Sequence, residues 1–360
     1  MKTKPMTKFA ILALSLVLVA CAGGGSEEAG CPAIDGREIN VVATTPMIGE
    51  FVSQVGGENI NLTVLMPPEA NPHTYEPAPQ DAGTIAEADL VFYTGLLYEP
   101  AALVKLLENS ACSTDILSEV GESVFPIEFK EGGHDDHDDH DDEEGHDDHD
   151  DEEGHDDHDD EEGHDDEEGH DDEEGHDDHE GHNHGAYDPH FWFDPSRVAY
   201  AAEYIESRLI QFDPENESSY KSSADSFVSE LNDLTKQVSE LISTVPSQNR
   251  KLITTHESLG YLEAKFGLEV LSTIIPSLNS ANEISPSDLA GVIDVIEDNN
   301  VKVIFIESEA PSVYSETIVA ETGIKSVTGL YVETLKPGQS YSEFLVSNVT
   351  LITENLQDTD

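Results

Sequence analysis

Short runs dominated by apolar residues alternate with helical patterns in two stretches of the chain, one on each side of a highly charged segment. Such runs between turn signals predict buried strands, and strands separated by helices of ordinary length indicate βαβ units with a mostly parallel sheet. The predicted strands are Ile39–Ala43, Asn61–Met66, Asp89–Tyr93, Val124–Ile127, Lys251–Thr255, Leu268–Ser272, Val301–Ile306 and Ile324–Val327. The predicted helices are Met47–Val55, Pro79–Ala88, Glu99–Asn109, Ser258–Phe266 and Val313–Thr322, with two more beginning at Ser285 and near Tyr341.

A longer helical pattern separates the two stretches. Between Tyr220 and Leu241, apolar residues recur at steps of three and four with polar residues between them, which predicts one long amphipathic helix. The sequence therefore predicts an α/β protein of two similar lobes joined by this helix. The expected divisions are an N-terminal lobe at 38–131 and 186–213, a linking helix at 214–245 and a C-terminal lobe at 246–360.

The charged segment, 132–185, repeats the unit GHDDHDDEE. The repeat contains no apolar residue, so it cannot bury a core and is expected to be disordered. One interpretation is a solvated acidic spacer. The other, which the recurring histidines favour, is a set of weak sites for divalent cations. The segment and its flanks contain thirteen histidines, namely His134, His137, His140, His146, His149, His155, His158, His164, His170, His176, His179, His182 and His184.

The N-terminus has the pattern of an export signal. Three lysines precede the apolar run FAILALSLVLVA, which is too short to span a bilayer and ends at Cys21. We expect a signal peptide at 1–20 and a tether at 21–37. The tetrapeptide LVAC resembles a bacterial lipobox, in which Cys21 would be lipid-modified; a soluble secreted protein is the alternative. The other cysteines, Cys31 and Cys112, form either a disulfide or two unpaired thiols, because spacing alone does not decide pairing.

The charge of the chain limits the kind of ligand it binds. The formal net charge is −61, with only 16 lysines and arginines. Binding to nucleic acid needs clustered basic residues, so this class of function is excluded, and cations are the natural ligands.

Only three histidines lie outside the charged segment and its flanks. They are His73 in NPHTYEP, His190 in DPHFWFDP and His256 in ITTHESLGY. Each lies just past a predicted strand or in a loop at the boundary of a lobe, and loops at the carboxyl ends of parallel strands commonly form binding clefts. Neutral imidazole suits Zn(II), and three histidines with one oxygen ligand make a tetrahedral site.

These segments, together with ADLVFYTGLLYEP, SPSDLA and ETGIKSV, resemble the metal-binding solute-binding proteins of ABC transporters, the cluster A-I group, and most of all its zinc-specific (ZnuA-like) members. The resemblance implies two four-stranded α/β lobes bridged by a rigid helix, with His73, His190 and His256 as metal ligands. It also implies a monomeric receptor on the outer face of the cytoplasmic membrane, which delivers Zn(II) to a permease and its ATPase.

The resemblance leaves the fourth ligand open. The family usually has an Asp after the last strand, whereas GLYVETLKPGQSY contains none. Glu333 is the nearest carboxylate and is the candidate; a water molecule or Glu69 would be an alternative. Asp188 and Asp194 are expected to support His190 or to shape its turn.

The sequence leaves four alternatives to a zinc receptor open. A manganese receptor of the same family is the nearest alternative, although manganese members often have a carboxylate where this chain has its third histidine. A zinc hydrolase is less favoured, because the sequence contains neither HExxH nor GxSxG, and we expect no enzyme. A surface adhesin or a metal-storage protein would also use the charged segment.

Overall fold

The computed structural model describes residues 31, 34, 36–68, 70–129, 187–309 and 313–357. The predicted signal peptide, the lipidation site Cys21, the charged segment with its thirteen histidines, and Glu69 lie outside the described residues. None of the helices in the described part of the chain combines the length and apolar character needed to cross a bilayer.

The first lobe is built on a four-stranded parallel sheet with strand order β2-β1-β3-β4. Its apolar runs pack between helices, as the sequence pattern predicts. The strands are β1 (Ile39–Ala43), β2 (Ile60–Val64), β3 (Leu90–Tyr93) and β4 (Leu117–Glu119). The helices are α1 (Pro46–Gly56), α2 (Pro79–Ala86) and α3 (Ala101–Ser110).

The predicted fourth strand, Val124–Ile127, is wrong. The fourth strand is β4, which pairs with the outer side of β3 and places Leu117 opposite Val91. After β4 the chain makes a 3₁₀ turn at Gly121–Val124 and enters the left-handed region at Phe125 (φ 52°), so this short apolar run turns away from the sheet and cannot extend as a strand.

Two long helices follow the charged segment. The first, α4 (Pro195–Phe212), was not predicted; Asp194 caps it by accepting a hydrogen bond from the backbone N–H of Ser196. The predicted long helix is α5 (Glu217–Ser243). It packs against α1 and α4 of the first lobe and against the C-terminal helix α9 (Tyr341–Gln357).

The second lobe also has four strands, arranged as two hydrogen-bonded parallel pairs, β5–β6 and β7–β8. Side chains link the inner strands: Thr255 accepts from the backbone N–H of Glu307, and Glu307 accepts from that of His256. The strands are β5 (Lys251–His256), β6 (Glu269–Ile275), β7 (Val303–Glu307) and β8 (Lys325–Leu330). The helices, besides α9, are α6 (Gly260–Phe266), α7 (Pro286–Asp298) and α8 (Val313–Thr322).

The largest hydrophobic cluster runs through both lobes. It joins β1 and α1 of the first lobe to α5, and continues into α9 and β7 of the second. A core that is shared in this way resists rotation of one lobe against the other, because rotation would expose close-packed apolar surface to water. The strands and helices of the two lobes confirm the α/β fold class. The shared core makes the frame around the site between the lobes rigid.

Cys31 and Cys112 are joined by a disulfide that ties the start of the described chain to the end of α3. Replacing both by Ser is expected to lower the free energy of unfolding by about 2–4 kcal/mol, because the bond closes a long loop and restricts the unfolded chain. Urea denaturation of the metal-free protein measures this loss, and reduced wild type serves as the matched control. Identical transitions for the oxidised and reduced wild type would contradict the expectation.

Candidate metal centre

The four predicted ligands come from four separate loops or strand ends. His73 lies in a 3₁₀ turn after β2, where the side chain of Asn71 accepts a hydrogen bond from its backbone N–H. His190 directly precedes the 3₁₀ turn that leads into α4, and His256 is the last residue of β5. Glu333 follows β8. The two lobes therefore each contribute two of the four side chains.

The structure brings these four side chains together in a buried cluster, with one ligand atom of each within 4.8 Å of the others. Oε1 of Glu333 lies 3.0 Å from Nε2 of His73 and 3.0 Å from Nε2 of His256, and Oε2 lies 3.4 Å from Nε2 of His190. Four ligands in a tetrahedron around Zn(II) lie about 3.3 Å apart when the bonds are about 2.0–2.1 Å long. The two separations from Oε1, 3.0 Å each, are close to that spacing, and Oε2 is the oxygen that faces His190.

Two further carboxylates orient the imidazoles. Nδ1 of His190 lies 2.8 Å from Oδ1 of Asp188, and Nδ1 of His256 lies 2.5 Å from Oε2 of Glu307. Each carboxylate accepts the Nδ1–H bond and turns Nε2 toward the cluster. Within the described residues, neither of these buried Nε2 atoms forms a hydrogen bond of normal geometry, although each lies within 3.4 Å of an oxygen of Glu333. Ligating histidines commonly have this arrangement, in which the second nitrogen donates to a carboxylate.

One of these two carboxylates, Asp188, was predicted from the sequence to support its histidine. Asp188 lies behind His190 as expected, whereas Asp194 caps α4 and does not touch the imidazole cluster through any hydrogen bond in the described chain. Glu307 was missed. Its only sequence signal is a charged residue that ends the apolar strand VKVIFI, and its partner His256 lies 51 residues away along the chain.

The electrostatics of the cluster favour a cation. Burial acts to lower the pKa of His190, but the Asp188 hydrogen bond and the Glu333 carboxylate outweigh it and raise the pKa to about 9. Burial likewise opposes charge on His256, yet Glu307 and Glu333 raise its pKa well above the usual value. Burial raises the pKa of Glu333, but the imidazoles of His73 and His256 outweigh it and keep that pKa well below 4.5.

The loop that presents Glu333 is fastened on several sides. Oε1 of Glu309 accepts hydrogen bonds from the backbone N–H groups of Val332 (3.2 Å) and Glu333 (3.3 Å). Trp192 donates its indole N–H to the carbonyl oxygen of Val332 at 2.8 Å. Burial, together with the nearby carboxylates, raises the pKa of Glu309 to about 8. The ligand loop is thus bonded both to its own lobe and to the first lobe.

Comparisons with known proteins agree with this architecture. The family model described as "Zinc-uptake complex component A periplasmic" matches residues 41–355. The manganese ABC transporter substrate-binding lipoprotein PsaA of Streptococcus anginosus is 24% identical over 362 residues, covering 98% of this chain and 99% of the relative. The manganese-binding lipoprotein MntA of Halalkalibacterium halodurans is 21% identical over 354 residues, covering 97% of each.

Among solved structures, the periplasmic zinc-binding protein TroA of Treponema pallidum has the same fold, with a TM-score of 0.68 at 19% identity; the match covers 89% of this chain and 99% of TroA. The family model spans nearly the whole globular part of the chain, including all four clustered side chains. The chain therefore belongs to the family of periplasmic zinc-uptake component A proteins: it is an extracytoplasmic metal-binding receptor of an ABC transporter and not an enzyme.

Proposed function

We propose that this receptor captures Zn(II) between His73, His190, His256 and Glu333 and delivers it to a permease and its ATPase for import. The observation that supports zinc is the ligand set, since three imidazoles and one carboxylate within 4.8 Å match the preferences of a four-coordinate Zn(II) site. Divalent metals bind such nitrogen-rich sites in an order that places zinc far above manganese.

Manganese is the second candidate cargo. The relatives PsaA and MntA are both named for manganese, at 24% and 21% identity to this chain. A manganese site would be expected to offer more oxygen ligands than this cluster does. The three-histidine set therefore favours zinc, and direct competition between the two metals decides the question.

The remaining parts of the proposal come from the sequence. We infer that residues 1–20 direct export, that Cys21 is lipidated and anchors the receptor through the tether 21–37, and that the receptor works as a monomer. The charged segment, 132–185, would collect or sense zinc at low affinity beside the tight site. We also propose that the N-terminal lobe comprises 38–131 and 186–213, the linking helix 214–245 and the C-terminal lobe 246–360.

Release of the ion is proposed to depend on local movement. The shared core limits rotation of the lobes, whereas Glu333 lies in a loop between β8 and α9 that belongs to no regular element. Docking on the permease would displace this loop and withdraw the single carboxylate ligand from the ion.

The first test compares metal binding by the intact protein and by His256→Ala. Zinc affinity is expected to fall by more than about a hundredfold, because changes to the carboxylates behind ligating histidines alone cost ~10–100-fold. Competitive titration of metal-free protein with Zn(II) and Mn(II) measures the loss, and His158→Ala in the charged segment is the matched control. Equal or tighter manganese binding by the intact protein would overturn the zinc assignment.

The second test measures the number of protons that the protein releases when it binds zinc. His190, with a pKa of about 9, and His256, with its pKa raised, are charged in the metal-free protein at pH 7, and an ion must displace their protons. Zinc binding is therefore expected to release about two protons at pH 7 and to tighten as the pH rises toward 9. Calorimetry in buffers of different ionisation enthalpy counts the protons. Asp188→Asn should reduce the count, and binding without proton release would contradict the charge state described here.

The third test removes the charged segment, 132–185. The truncated receptor is expected to lose several weak zinc sites and to keep one tight site, because all four clustered side chains lie outside the deleted residues. Equilibrium dialysis followed by metal analysis gives the stoichiometry of each form. The isolated Glu128–Tyr187 bridge spans the junction, so the ends can be joined by a short glycine linker. Disappearance of the tight site would show that the segment itself contains it.

A further inference from the structure

Tyr98 contacts the only ligand of the cluster that is not a histidine. Its hydroxyl lies 3.0 Å from Oε2 of Glu333 and 3.0 Å from the backbone carbonyl oxygen of the same residue, and it donates its hydrogen between them. The side chain is 1% exposed. The contacted oxygen, Oε2, is not the one that faces His73 and His256, because that position belongs to Oε1.

The backbone before Tyr98 is arranged to keep this contact. Three consecutive residues have positive φ, an arrangement that is costly for the two leucines: Gly95 (77°), Leu96 (53°) and Leu97 (61°). Glu99 accepts hydrogen bonds from the N–H groups of Thr94 and Gly95, and Glu119 accepts from that of Leu96. The ring of Tyr98 packs edge-on against Trp192 and His73. The hydrogen-bonded backbone and the packing of the ring therefore both hold the hydroxyl of Tyr98 in place.

We propose that Tyr98 is a specificity-determining residue, whose hydroxyl occupies Oε2 of Glu333 so that the carboxylate offers the ion one oxygen only. This inference rests on the proposed zinc-receptor function and deepens it. A carboxylate with two free oxygens can chelate an ion and raise its coordination number. With Oε2 engaged, the cluster supplies three nitrogens and one oxygen, which is a complete shell for tetrahedral Zn(II).

The same restriction works against manganese. Mn(II) is served best by carboxylate and other oxygen ligands in shells larger than four. In the described structure, a second oxygen from Glu333 is the nearest means of enlarging the shell, since Oε2 already lies 3.4 Å from Nε2 of His190. Tyr98 therefore discriminates between the two ions through the number of ligand atoms rather than through the identity of the ligand residues.

The test is Tyr98→Phe, which removes the hydroxyl and keeps the ring. Manganese affinity is expected to rise about tenfold, the scale of one hydrogen bond to a charged group, while zinc affinity changes less than about threefold. The Co(II)-loaded variant should lose the intense visible bands of a four-coordinate site and gain the weaker spectrum of a five-coordinate one. Tyr220→Phe is the matched control, because it removes a buried phenol bonded to a carboxylate, Asp213, in a different part of the fold.

The outcomes separate this inference from the proposed function. Unchanged metal preference and an unchanged Co(II) spectrum in Tyr98→Phe would overturn the role of Tyr98, while tight zinc binding by the wild type would leave the receptor function standing. An equal loss of affinity for both metals would assign Tyr98 a merely structural role and would also overturn the inference. Failure of the wild type to bind zinc in the cleft, with His256→Ala no different from it, would instead reject the proposed function itself.

Discussion

The structure depends on one buried carboxylate, Glu333, that faces three imidazoles across the junction of the lobes. A carboxylate that is 1% exposed costs several kcal/mol in desolvation unless cations face it. The raised pKa values of His190 and His256 lead us to expect that protons on these two imidazoles supply that positive charge when no metal is bound. Exchange of two protons for one divalent ion leaves the net charge of the cluster unchanged, so the same buried frame accommodates both the empty and the loaded receptor.

Under the proposed function, this balance would link release to proton uptake. When the ion leaves, the cluster is expected to regain protons, because Glu333 would otherwise stay buried with no cation facing it. The shared core makes a wide opening of the lobes expensive, and the ligand loop is bonded to Trp192 of the first lobe and to Glu309 of the second. A small displacement of that loop admits water and protons to the cluster at a far lower cost than separation of the lobes.

The fold and the histidines of the cluster could be predicted from the sequence because their signals are local. Apolar runs marked seven of the eight strands, and subtraction of the repeat left His73, His190 and His256, which the structure brings together with Glu333. The failures arose where the determining contact is distant along the chain. Glu307 contacts His256 and Tyr98 contacts Glu333, 51 and 235 residues away along the chain. The fourth strand forms at Leu117, which pairs with Val91, and not at Val124–Ile127.

The carboxylates behind the imidazoles also bear on the choice of metal. A carboxylate that accepts the Nδ1–H bond makes the opposite nitrogen a stronger donor, which benefits an ion that bonds mainly to nitrogen. His190 and His256 both have such a partner, whereas the single oxygen ligand has its second oxygen occupied by a phenol. The imidazole nitrogens thereby become stronger ligands for a metal ion, while Glu333 is limited to one oxygen ligand. Both effects act in the direction of the intrinsic order of affinities, which supports the proposal that this cleft prefers zinc to manganese.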